Sequence, residues 1–227
     1  MTLDVEEFDV PEEYGHILPI EEKINVSLEG LNNVMHILNK HQMPCTIFTT
    51  AVFAEAQPDL IRKLSLTNEI ASHGFYHSSF EPAHLLESKQ AIEKIIGKEV
   101  VGFRMARLAE VNDDDISNAG YAYNSSLNPT WVPGRYNHLS SPRISFLSGK
   151  LLNIPVSVSP MRIPLFWLSY KNFPLGYYHH LMQRTLKKDG VLSLYFHPWE
   201  FTDISSYGVP YYIKKHSGNA MLERLNK

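Results

Sequence analysis

The strongest constraint on this 227-residue chain is a repeated alternation of short apolar runs of strand length with longer segments of helical periodicity. Residues 2 to 5 form a first apolar run, which acidic residues and Pro11 then interrupt. From about Ser27 to His41, Leu28, Leu31, Val34, Met35, Leu38 and Asn39 recur at helical spacing. Pro44 to Thr50 is rich in β-branched and aromatic residues, and Ala51 to Leu66 is again helical in pattern despite Pro58. The same rhythm continues through strands at 69–72 and 100–104, helices at 83–96 and 113–118, and a strand at 154–159. It ends with a helix at 179–188 and a strand at 191–197. Such alternation predicts an α/β fold, a parallel sheet or barrel with helices outside, in which the C-terminal strand ends form the rim where sites are built.

Composition supports one compact domain over 1–227 with a substantial core: 44% of residues are hydrophobic and 20% charged. A formal net charge of −3 and the lack of an Arg/Lys-rich stripe argue against bulk nucleic-acid binding. The chain shows no 18-residue apolar stretch, and its start, M-T-L-D-V-E-E-F, lacks the basic and apolar segments of a secretory leader. The expected location is therefore cytoplasmic, peripheral to a membrane at most. Cys45 is the only cysteine and sits in an apolar run, which predicts a core role. Residues 125–175 break the rhythm with proline, glycine, serine and aromatics, and are read as an irregular excursion that covers the core or walls a groove.

Four polar constellations fall where strands should end: Asp4 with Glu6 and Glu7, His73 with His77, Arg104 with Arg107, and His197 ahead of Pro198, Trp199 and Glu200. Asp4 and Glu6 share one side-chain phase if both lie on a strand, so that one acid can ligate a metal while the other takes a proton from water. Glu7 projects oppositely. If His73 to His77 is helical, both imidazoles face one side; two imidazoles and one carboxylate leave an open position on zinc or a related ion. His197 has the character of a general acid or of a packed structural histidine, and Arg104 that of a carboxylate-orienting group or an ordinary ion pair. Nucleophile-elbow, phosphate-loop and early dinucleotide-binding motifs are absent.

In order along the chain, five segments resemble the motifs of the polysaccharide deacetylase family with the NodB homology domain: T-L-D-V-E-E-F from Thr2, N-E-I-A-S-H-G-F-Y-H from Asn68, V-G-F-R-M-A-R-L from Val101, G-Y-A-Y-N-S-S from Gly120, and V-L-S-L-Y-F-H-P-W-E from Val191. The first and last are similar to the branch found with bacterial exopolysaccharide biosynthesis genes. The resemblance implies a distorted or incomplete (β/α)7 barrel, related to the TIM barrel, and metal-dependent removal of an N-acetyl group from an amino sugar. It maps Asp4 to the base, Glu6, His73 and His77 to the metal, His197 to the acid and Arg104 to the group that orients the base. Arg107, Tyr123 and Asn124 map to the substrate pocket, and Trp199 is expected to stack on a sugar face. The implied ion is zinc, with cobalt, nickel, manganese or iron as alternatives, and the implied substrate is an N-acetylated sugar or oligosaccharide, free or nucleotide- or lipid-linked. Other amide hydrolysis on the same fold, such as deformylation, and a catalytically silent carbohydrate-binding descendant are the alternatives. Three departures stand out. The adjacent acidic pair becomes D-x-E, Met105-Ala106-Arg107 replaces a proline-containing segment, and Asn124 occupies a commonly acidic position.

Overall fold

The computed structural model describes all of residues 1–227. Strands β1 (Thr2–Val5), β2 (Thr46–Thr49), β3 (Glu69–Ser72), β4 (Gly102–Phe103), β5 (Tyr123–Asn124), β9 (Leu151–Asn153) and β10 (Tyr195–Phe196) run parallel in one sheet, in the order β10-β1-β2-β3-β4-β5-β9. An eighth strand, β8 (Phe146–Ser148), pairs antiparallel with β9 at one edge. The sheet curls into a half-barrel, the incomplete (β/α) barrel that the alternation and the family motifs imply. Across the gap, the segment after β9 meets the approach to β10 through Ser157 N–H donating to the Ser193 carbonyl at 2.8 Å. A two-stranded ribbon, β6 (Trp131–Val132) and β7 (Tyr136–Asn137), stands apart from the sheet.

Helices α1 (Ile20–Lys40), α2 (Ala51–Ala56), α3 (Pro58–Leu64), α4 (Ala83–Ile96) and α5 (Asp113–Asn118) connect the early strands. After β9 come α6 (Trp167–Asn172) and α7 (Leu175–Asp189), and α8 (Tyr211–Lys214) and α9 (Asn219–Leu225) close the chain. Leu31, Val34 and Leu38 of α1, Ile92 of α4 and Tyr178 of α7 join Leu3, Ile47 and Phe103 in one core, while Ile213 of α8 packs in a smaller cluster with Phe8 and Trp199. No helix is long and apolar enough to cross a membrane.

Local chemistry explains where the sequence reading holds and where it slips. Helix α5 has the bounds read from sequence, because Asn112 caps it by accepting from Asp114 N–H at 2.8 Å. The single helix expected over 51–66 is two, broken at Gln57, because Pro58 cannot donate to the preceding turn and starts a new helix instead. The strand expected at 154–159 is extended chain with one isolated bridge, Val158 to Pro164. The barrel strand in that region is β9, inside the stretch read as irregular. Only Tyr195 and Phe196 of the apolar run at 191–197 pair with β1.

The longest helix also sets the position of one strand-end loop. Gly30 of α1 lies against the 198–202 segment, and a Cβ there would fall inside the van der Waals shell of the Pro198 carbonyl oxygen and crowd Thr202 Oγ1 at 2.9 Å. A helical Gly→Ala exchange ordinarily gains up to about 1 kcal/mol. Here the sign reverses: Gly30→Ala is expected to cost about 1–3 kcal/mol through overpacking and to displace the loop that follows His197, measured by denaturant titration. Cys45 is buried and its Sγ lies 3.4 Å from Asn68 Oδ1; burial raises its pKa to about 11, with the N-terminal amine pulling weakly the other way. Native protein at pH 8 is therefore expected to resist iodoacetamide, with labelling that rises with pH toward 11 and becomes fast at pH 8 only when urea unfolds the chain, because the thiolate is the reactive form.

Candidate metal and catalytic centre

Arg104, just past β4, is completely buried at the strand-end rim. Its Nη1 donates to Asp4 Oδ1 at 2.6 Å and to Thr2 Oγ1 at 2.7 Å, while Nε and Nη2 donate to the Ser125 carbonyl and hydroxyl at 3.0 and 2.8 Å. The guanidinium lies 4.1 Å from the centre of the Phe48 ring. A charge taken so far from water is tolerable only with its donors satisfied and a counter-charge beside it, and Asp4 is that counter-charge. Parallel pairing of β1 with β2 sets Asp4 opposite Phe48.

Glu6 lies one residue beyond β1 and is also buried. Its Oε2 stands 3.1 Å from His73 Nε2 and 2.9 Å from His77 Nε2. The expectation that a helix aligns the two histidines is wrong. His73 to His77 is a loop in which Gly74 takes φ +87°, a left-handed turn that lets the chain double back and bring the rings together, 6.0 Å apart and nearly parallel. Each imidazole is oriented from behind. His73 Nδ1–H donates to the Arg104 carbonyl at 2.9 Å, and His77 Nδ1–H donates to Asp9 Oδ2 at 2.8 Å. Both Nε2 atoms consequently face the Glu6 carboxylate, and the three potential ligand atoms lie within 4.8 Å of one another. That donor set fits a divalent ion: two imidazoles with acceptors behind them and one carboxylate, the outer-shell pattern that sets the ligating tautomer. Buried Asp9 Oδ1 has no partner, as a carboxylate committed to ring orientation can leave it.

The electrostatics agree. Burial opposes charge on Glu6, yet His77 and His197 together with the hydrogen bonds from His73 and His77 hold its carboxyl well below the usual carboxylate range. Burial likewise opposes a charged His77, but Glu6 and Asp9 override it and raise its pKa to about 10 in the absence of an ion. The centre thus gathers carboxylates and imidazoles whose charges are mutually compensated in a buried place.

His197, after β10, points at the same carboxylate, with Nε2 4.0 Å from Glu6 Oε1. Pro198 opens a one-turn 3₁₀ segment, Pro198–Phe201, which brings Glu200 back onto His197: Glu200 Oε1 accepts from the His197 backbone N–H at 2.7 Å and from Nδ1–H at 3.1 Å. Desolvation lowers the His197 pKa, but Glu6 and Glu200 outweigh it and the net shift is upward. Asp4, Glu6, His77, Arg107, His197 and Trp199 line one cavity of about 290 Å³.

Two expected substrate contacts, Tyr123 and Asn124, do not line this cavity, whereas Trp199 does. Trp199 is only 1% exposed; its indole stacks on His197 at 5.0 Å and its N–H donates to Glu6 Oε1 at 3.2 Å, so most of it is taken up in supporting the centre. Tyr123 turns away from the cavity, across Gly102, and its hydroxyl donates to Glu69 Oε1 at 3.0 Å, at the start of β3 and hence the opposite end of the barrel. Asn124 bonds Asn153, Ser126 and Asp113, and opens onto a separate cavity of about 540 Å³. Arg107 does reach the site: it lines the cavity and donates to Asp9 Oδ2 at 3.1 Å. Arg107 and Leu108 take φ +58° and +52°, strained for side-chain-bearing residues. Asp9 escaped the sequence reading, and Glu200 was placed beside His197 there without a role. Glu200 left a signal, an acid three residues after a histidine with proline between, whereas Asp9 left none because its partners come from residues 77 and 107.

Comparison with known proteins gives the same architecture. The polysaccharide deacetylase family profile matches residues 28–123, a span that contains His73, His77 and Arg104 but neither β1 nor His197. No curated protein sequence matches the chain significantly. Among solved structures, a Mycobacterium smegmatis protein assigned as a polysaccharide deacetylase superposes with TM-score 0.63 at 19% identity, covering 99% of this chain and 81% of its own. A Pseudomonas aeruginosa PAO1 protein with the same assignment gives TM-score 0.66 at 15% identity, with 99% and 81% covered. The Puue allantoinase gives 0.63 at 16% identity, with 99% and 80% covered.

If Asp9 fixes His77 for a metal, Asp9→Ala is expected to weaken zinc binding by about 10–100-fold while leaving the fold intact, measured by competition with a chromophoric chelator and by circular dichroism. Unchanged zinc affinity would remove Asp9 from that role.

Proposed function

We propose, for a chain recognised as a polysaccharide deacetylase relative by its motifs, the family profile match and its half-barrel fold, that it is a metal-dependent amide hydrolase that removes the N-acetyl group from an amino sugar. The observation that carries this reading is convergence: a buried carboxylate paired to arginine, a His–His–Glu cation site and a carboxylate-backed histidine border one cavity large enough for a sugar substituent. The substrate class is an N-acetylated sugar of a surface polysaccharide or of its nucleotide- or lipid-linked precursor.

Glu6, His73 and His77 would hold a divalent ion, with zinc the first candidate, and such an ion would supply Lewis acidity toward the acyl carbonyl and water. Asp4, oriented by its contact with Arg104, accepts the proton of the attacking water. The cavity floor at Arg107 and Leu108 carries the strained backbone against which the carbonyl oxygen rests. His197, with Nδ1–H held by Glu200, carries the proton on Nε2 that passes to the departing nitrogen. Base and acid reach the cavity from different strands, Asp4 from β1 and His197 from the end of β10, which lets water activation and amine departure occur from separate sides of the same carbonyl. Trp167, Phe166 and Tyr136 wall the cavity with aromatic surface suited to the apolar face of a pyranose.

The test is acetate release from N-acetylated monosaccharides, nucleotide sugars and lipid-linked sugars, with metal-stripped and zinc-reloaded protein. Zinc-dependent release is expected, falling by at least about 100-fold in Asp4→Asn and in His197→Ala, the usual contribution of a positioned proton-transfer group. Release only from N-formyl sugars or from cyclic amides would reassign the acyl substrate, and tight sugar binding with no turnover would make the protein a silent binding relative.

A further inference from the structure

The mouth of the cavity is shaped by one short segment. Val10–Tyr14 forms a one-turn 3₁₀ segment that Gly15 ends in a left-handed conformation, φ +82°. Pro11 is buried beneath it, and Lys23 of α1 ties it down by donating to Glu12 Oε1 at 2.8 Å. From this anchored turn Glu13 reaches sideways to two arginines, with Oε2 3.3 Å from Arg135 Nη2 on the β6–β7 ribbon and Oε1 3.7 Å from Arg107 Nη1. Tyr14 reaches the other way, its hydroxyl 3.3 Å from that of Tyr212 in α8. Three side-chain bridges therefore join segments distant in sequence around the mouth, and all pass through two adjacent residues.

Beyond Glu13 lies a wider cleft of about 710 Å³, which shares Glu13, Arg107, Arg135 and Tyr136 with the 290 Å³ cavity and continues to Asn137, His138 and Glu110. The shared residues lie between the two spaces. A polymer laid across the catalytic centre, running from the cleft into the cavity and out past α8, would meet the Glu13–arginine bridges on one side and the Tyr14–Tyr212 contact on the other, all made by partly exposed side chains. The cavity volume is near the lower end of the range for small-molecule sites, about 300–1,000 Å³, room for one ring and its acyl arm rather than a run of rings.

We propose that Glu13 and Tyr14 make the catalytic cavity a well that accepts a single terminal sugar, so that the protein acts on chain ends and short precursors and not along the interior of a polymer. This rests on the sugar-amide reading above. Glu13 and Tyr14 touch no reacting atom; they select substrate by length and position.

The experiment uses zinc-reloaded protein and N-acetylated amino-sugar oligomers of increasing length in β-1,4 and β-1,6 linkage, with the deacetylated position found by mass spectrometry. The wild type is expected to release one acetate per chain, from one end, at a rate that does not grow with length. In the Glu13→Ala/Tyr14→Ala double variant, interior deacetylation relative to terminal deacetylation is expected to rise by about tenfold or more, the scale of a lost pocket contact. Interior release by the wild type at rates comparable with terminal release overturns the proposal. Should no oligomer release acetate, the hydrolase reading fails separately. Saturation-transfer NMR on the same oligomers then decides the well: saturation confined to one terminal ring supports it, whereas saturation along interior rings, or no binding, overturns it.

Discussion

The buried ion pair between Arg104 and Asp4 is the constraint on which the rest of the centre depends. A guanidinium without solvent needs partners for its donors, and here four hydrogen bonds go to Thr2 and Asp4 of β1 and to Ser125 just after β5, while its flat face rests on Phe48 of β2. The Arg104 backbone carbonyl meanwhile receives His73 Nδ1–H from beyond β3. One residue thus fixes strands on both sides of β4 and orients a candidate metal ligand. Removing one side of such a pair leaves an uncompensated buried charge, a cost of about 3–5 kcal/mol, so geometry and stability are tied to the same side chain.

Around that pair the site is built from oriented donors and acceptors two layers deep. The inner layer is Glu6, His73, His77 and His197. The outer layer is the Arg104 carbonyl, Asp9, Glu200 and the Trp199 indole, each bonded to one atom of the inner layer that does not face the cavity. Such an arrangement decides tautomers before any ligand arrives, which lowers the reorganisation needed when charge develops. It also accounts for so many acids and bases surviving burial at one rim: every buried charge there has a counter-charge or a hydrogen-bond partner.

The departures from the family pattern acquire a physical meaning in this arrangement. Asn124 lacks a charge where an acid is common, and its side chain is taken up by Asn153, Asp113 and Ser126; His197 has its carboxylate from Glu200, three residues along its own turn. Glu6 in place of an aspartate next to Asp4 sits past the end of β1, where the longer arm spans to both histidines. The absence of proline between Arg104 and Leu108 coincides with two left-handed residues that Met105 N–H anchors through Ser126 Oγ at 2.8 Å.

By itself the sequence determined the class of fold and pointed to the polar residues that gather at its strand-end rim. Alternating strand and helix periods are local properties of the chain, and the polar residues that end apolar runs mark the rim of any parallel sheet, so Asp4, Glu6, His73, His77, Arg104 and His197 were all legible. The tertiary structure alone decided which way side chains turn and what stands behind them. Tyr123 and Asn124 are neighbours in sequence but point to opposite faces of β5, and Trp199 reads as a sugar platform until its burial against Glu6 is seen. Asp9 became meaningful only when the His73–His77 loop folded back onto it. The walls of the well come from residues 10–14, 132–136, 166–168 and 212–213, and no local pattern records their meeting, because contact between segments so far apart is set by the curl of the whole sheet.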